Sequence, residues 1–223
     1  MQQTFDFLKE LSKNNNREWF HSNKPKYHAS HEEMIDFADR LLGEMNRHDV
    51  IETPSGKKSL NRIYRDIRFK KDKTPYKTHW GGGLYRAGAE RRGSYYYHIG
   101  LNGSFVMGGF FGPNPQDLLH IRNQLAQYSD PLREVLESKA FKENFGELLG
   151  TQLKTAPRGF EKDHPEIDLL RYKQFMVRKD FSIAEVMDKN FHKTVSDSFR
   201  SMRPFLDCMT DMLTTDLNGI SLV

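Results

Sequence analysis

Apolar positions recur at helical spacing towards both ends of this chain and alternate with polar ones in its middle. Near the start, Phe5, Leu8 and Leu11 share one helical face, which predicts a helix from Thr4 to Lys13 ending at the asparagines Asn14 to Asn16. Asn23 and Pro25 suit the entry of a longer helix that reaches about His48. Tyr27, Met34, Phe37, Leu41 and Met45 form its apolar face, and His31, Glu32, Asp36 and Arg40 its polar face. A linker at Glu52–Lys58 follows. Beyond the middle, helices are predicted at Asp117–Tyr128, from Asp130-Pro131 and at Ala140–Leu149. Ser182 and Glu185 have capping-box spacing. The chain closes on a long amphipathic helix from Phe191 to about Leu217, with Phe199, Met202, Phe205 and Met209 on its apolar side.

The central pattern is that of strands. A short strand is expected at Leu84–Ala87, after Gly81–Gly83. A β-hairpin is expected at about 94–110, where SYYYHIGL and SFVMGGFF flank Asn102-Gly103. A two-residue loop there sets Ile99 opposite Val106, Tyr97 opposite Gly108 and Tyr96 opposite Gly109, so that each tyrosine covers a glycine. Phe175 and Val177 mark one later strand. The order of helices, a meander of strands, helices, one strand and helices predicts an α+β fold. Its central sheet is antiparallel or mixed, built on the hairpin and flanked by helices, with long amphipathic helices at both ends. No repeat or linker divides the chain, so one domain over residues 1–223 is expected.

Charge changes this picture. The net charge is only +4, but twelve basic residues stand against three acids between Lys57 and Arg92. A basic segment on an otherwise acidic body points to an anionic partner. The one cysteine, Cys208, excludes an intrachain disulfide and lies on the apolar side of the last helix, where an inert thiol is expected. No signal-like start and no long apolar run occurs, so a cytoplasmic protein without a membrane partner is expected.

The basic segment begins with SLNRIYRDIRFKKDKTPYK, Ser59 to Lys77. Its helical and extended signals compete, and it closes in a loop at Asp72–Pro75. On a helical turn Arg62, Arg65 and Arg68 would share a face and converge on one carboxylate or phosphate. Asp66 would orient an arginine, and Lys73, Tyr76 and Lys77 would complete the wall. The structural alternative is a set of ion pairs within the fold. The pattern Arg62-x-x-Arg65-Asp66-x-Arg68-Phe69, then Asp72-Lys73-x-x-Tyr76, resembles the signature of a bacterial family of unknown function. The Asn16-Arg17-Glu18-Trp19-Phe20 start is also similar, so the resemblance extends over most of the chain. It implies that this stretch defines the family, and it carries no activity, substrate or cofactor with it.

Other chemistry finds little support. His28 and His31 share a helical face with Glu32 and Glu33 beside them, but no third metal ligand is apparent, and no metal or cofactor is expected. Gly81–Gly83 lacks the ending of a phosphate-binding loop, and no nucleophile motif occurs. His79 and His98 are the candidates for proton transfer. Three readings remain: an anionic small molecule held by Arg62, Arg65 and Arg68; a nucleic acid, with Trp80, Tyr85 or Tyr95 stacking on bases; or an internal ion-pair network.

Overall fold

The computed structural model describes residues 1–223. The chain forms eleven helices and one four-stranded antiparallel sheet in the order β1-β2-β3-β4, with helices flanking the sheet, as the helix and strand patterning predicts. The strands are β1 (His79–Tyr85), β2 (Ser94–Gly100), β3 (Ser104–Phe110) and β4 (Phe175–Phe181). By contact the chain divides into two compact units. The first comprises Met1–Leu84, Tyr96–Val106 and Asp180–Asp197; the second comprises Tyr85–Tyr95, Met107–Lys179 and Ser198–Val223.

In the first unit, α1 (Gln2–Lys13) buries Phe7, Leu8 and Leu11 and packs on α3 (Lys24–Met45), which buries Met34, Phe37, Ala38, Leu41 and Met45. Between them the asparagine run leads into α2 (Arg17–Ser22), where the Asn16 side chain accepts from the Trp19 N–H at 2.9 Å. That bond satisfies one of the donors a helix start leaves open. The second half of the expected linker is a short helical turn, α4 (Gly56–Ser59), which buries Gly56 and Ser59. Trp80 on β1 is fully buried and donates its indole N–H to Ser30 Oγ at 2.9 Å, which joins the strand to α3.

The three glycines lie inside β1 rather than ahead of it. The reason is the neighbouring strand: a Cβ on Gly81 would collide with the Tyr96 ring, and one on Gly82 with the Tyr97 ring. Tyrosines do lie over glycines, as expected, but over those of β1. A Cβ on Gly108 would instead meet Met202. The hairpin reversal is also displaced by one residue. Gly103, at φ +121°, donates its N–H to Gly100 O at 3.3 Å, so Leu101 and Asn102 are the central turn residues.

The second unit holds α5 (Pro115–Gln127), α6 (Asp130–Glu137), α7 (Lys139–Phe145), α8 (Ile167–Leu170) and the last helix of the chain. The Ser182–Glu185 capping box opens α9 (Ile183–Met187) in the first unit. The expected final helix is two: α10 (Phe191–Ser201) and α11 (Arg203–Thr214). Pro204 causes the break, because it has no N–H to donate and its ring crowds the carbonyl one turn back. In the second unit Arg86 is buried and held by Asp207 at 2.5 Å and by Arg92 O at 3.1 Å. No helix is long and apolar enough to cross a membrane.

Candidate functional site

The segment from Leu60 to Thr78 is extended, not helical. It runs out, turns at Ile67–Lys70 and returns beside itself. Arg65 N–H donates to Pro75 O at 2.9 Å and Lys77 N–H to Ile63 O at 2.8 Å, which sets Tyr64 against Tyr76. The N–H and C=O of Tyr76 therefore face away from Tyr64, and Asn15 meets both. Its Nδ2 donates to Tyr76 O at 2.9 Å and its Oδ1 accepts from Tyr76 N at 3.1 Å. A single amide side chain from the end of α1 thus completes the hydrogen bonding of the returning strand.

This backbone separates the three arginines. In an extended chain residues three apart point to opposite sides. Arg65 donates to Asp72 Oδ2 at 2.6 Å and to Thr74 O at 3.1 Å, and it also touches Thr74 Oγ1. Arg68 grips Asp66 through two nitrogens at 3.0 and 2.7 Å. Lys73 Nζ donates to Ile67 O at 3.0 Å, and Lys77 Nζ to Arg62 O at 2.7 Å. Arg62 is exposed, and no ion pair holds its guanidinium. The Thr74 N–H, then Arg65 and the Thr74 hydroxyl, draw the Asp72 carboxyl down to about 2. Arg68 lowers Asp66 in the same way. Burial, and secondarily Arg62, lowers Lys77. Of the seven expected site residues, four serve as braces or lie on the outside of the loop. Arg65 and Tyr76 line both of two adjoining clefts, and Lys77 lines the second of them.

The first cleft, about 420 Å³, is lined by Arg17, His21, Lys24, Phe20, Tyr64, Arg65 and Tyr76, together with Ile67 and Pro75. It contains no carboxylate. Phe20 and Tyr76 stack with ring centres 4.0 Å apart and planes inclined by 12°, and Tyr64 leans on both at 6.0 and 5.4 Å. Burial raises the Tyr76 hydroxyl pKa, followed by Tyr64, while Arg17 opposes the shift. The second cleft, about 450 Å³, is polar and includes Asp72, Asn15, Lys77 and His79. There burial, then Lys77 and Arg65, lowers the His79 pKa. His79 stacks on His98 at 4.1 Å, and His98 on Phe105 at 4.5 Å.

The remaining candidates fall elsewhere. Trp80 and Tyr95 are each 1% exposed, so neither can stack on a base; of the three aromatics expected to do so only Tyr85 is exposed. His31 lies against Trp80 and Tyr27. Burial, then Asp211, pushes the Cys208 thiol up to about 11, which keeps it protonated and inert. A groove of about 540 Å³ beside Cys208 in the second unit carries Glu134, Asp207 and Asp211 and so has the opposite charge. Sequence reasoning missed Arg17, Lys24, Phe20 and Asn15 as site residues. The Asn-Arg-Glu-Trp-Phe run was visible, but not the fold that brings it to Tyr76.

Over residues 3–207 the chain matches the family described as Conserved hypothetical protein (DUF2461). The chain belongs to that family. No curated protein and no solved structure matches this DUF2461 chain.

Proposed function

We propose that the aromatic, basic cleft between α2 and the returning strand binds a phosphorylated or carboxylated small molecule in a cytoplasmic setting. Arg17 and Lys24 supply the charge, the Arg65 fork adds a positioned donor, and the exposed face of Tyr64, backed by the buried Phe20–Tyr76 stack, takes a flat part of the ligand. One observation carries this reading: the cleft gathers three permanent cations and a histidine on an aromatic floor, with no carboxylate in its lining. Only Arg65 among the cations is already paired. The neighbouring cleft has more polar groups but carries Asp72, which would repel an anion.

Titration calorimetry with inorganic phosphate, citrate and adenosine monophosphate tests the assignment. At least one probe should bind, and Arg17→Ala should weaken it about 10- to 100-fold, the value of a hydrogen bond to a charged group. Binding that is indifferent to both Arg17→Ala and Lys24→Ala would place the site elsewhere.

A further inference from the structure

The loop at Ile67–Lys70 presents Phe69 with 94% of its surface in water, more than any other large apolar side chain of the chain. This ring is not a by-product of a loose loop. Arg68 is locked to Asp66, Arg65 to Asp72, and Lys73 caps the turn through the carbonyls of Ile67 and Arg68 at 3.0 and 3.4 Å. The bracing consumes most of the charged residues of the motif and leaves Phe69, Lys70, Lys71 and Arg62 outward. Neither lysine has an ion pair, and both are exposed.

We propose that Phe69 is a stacking platform for one base of a single-stranded nucleic acid, whose phosphates follow Lys70, Lys71 and the cations of the cleft. The inference rests on the cleft reading and names its partner class. Aromatic faces next to unpaired cations suit a polyanion that carries a π-face at every unit. Phe69 lies two residues from Ile67 in the cleft wall, a separation of no more than about 7 Å. Tyr64, 55% exposed, offers a second face inside that cleft. A flexible single strand can reach both the projecting ring and the concave floor. A duplex hides its base faces, and a flat bilayer cannot enter the cleft.

The test is fluorescence anisotropy of a labelled oligothymidylate of about 12 nucleotides with the full chain at about 50 mM salt and above. Binding should weaken steeply with salt and exceed that of a duplex of equal length. Phe69→Ala should weaken it about 10-fold with an unchanged melting temperature, and Lys70→Ala/Lys71→Ala should flatten the salt dependence. Wild-type affinity in Phe69→Ala would overturn the proposal. So would Phe69-dependent binding to phosphatidylserine vesicles without oligonucleotide binding. If no oligonucleotide binds while adenosine monophosphate still does so through Arg17, this inference fails and the cleft reading stands. If neither the oligonucleotide nor any of phosphate, citrate and adenosine monophosphate binds, both fail.

Discussion

Asn15→Ala isolates the contact on which the cleft depends. The amide of Asn15 is the partner of both the N–H and the C=O of Tyr76, at 3.1 and 2.9 Å, and Tyr76 is only 5% exposed. Two ordinary hydrogen bonds contribute about 1 kcal/mol each, and leaving buried partners unsatisfied raises the loss to about 2–4 kcal/mol in all. For a chain of this length each kcal/mol shifts the melting temperature by about 2–4 °C, so a fall of about 5–10 °C is expected. Tryptophan fluorescence is the suitable assay, because Trp19 and Trp80 both lie in the first unit and report it alone. Asn15→Asp keeps the acceptor for the Tyr76 N–H and loses the donor to its C=O, so it should fall between wild type and Asn15→Ala. Tyr76→Phe is the control: the bonds are to backbone, and the change should cost less than about 0.5 kcal/mol. An Asn15→Ala protein that melts within about 1 °C of wild type, or a Tyr76→Phe protein that loses as much as Asn15→Ala, would refute the reasoning.

Three further outcomes are expected. Gly82→Ala should destabilise the first unit by about 3 kcal/mol, because the buried Tyr97 ring must move and its hydroxyl must leave Ser59 Oγ, now 2.7 Å away; urea titration followed by tryptophan fluorescence reads this. Arg65→Ala, which removes a half-buried fork, should lose about 1–2 kcal/mol, whereas Arg68→Ala, which removes an exposed pair, should leave stability as in wild type; equal losses in the same titration would contradict the assignment. Burial is the leading cause that lowers the pKa of His31, His79 and His192, with Lys77 and Arg65 acting further on His79. The folded state then favours neutral histidine, and below the ordinary value of 6.5 the unfolded chain binds more protons. That stability is complete above 6.5 and is lost as pH falls towards the lowered folded values. The melting temperature should drop between about pH 7.5 and about pH 5.5, less so in His79→Gln, and a flat profile would count against the burial argument.

The helices and the hairpin were legible because their apolar periods are strong and local: α1, α3, the β2–β3 pair and the Ser182 capping box stand where the pattern places them. Pro204 was an equally local signal, but the apolar spacing ran on past it and masked the break between α10 and α11. The tyrosine-over-glycine packing was legible in kind and not in partner, because hairpin spacing says nothing of the third strand that brings Gly81 and Gly82 under Tyr96 and Tyr97. The arginine motif stayed open between helix and extended chain for a physical reason. A spacing of three means one face on a helix and opposite faces in an extended chain, and the choice is made by bonds to Pro75 and by Asn15, residues distant in sequence. The cations of the cleft, Arg17 and Lys24, sit on or beside a short helix whose sequence carries no sign of where its side chains will lie.

Hydrogen–deuterium exchange of the full chain with and without saturating adenosine monophosphate reads occupation of the aromatic, basic cleft. Exchange should slow in the segments 15–24 and 62–77 together and stay unchanged at the acidic groove around 124–135. Unchanged exchange in both segments, or protection centred on that groove, would contradict the cleft reading.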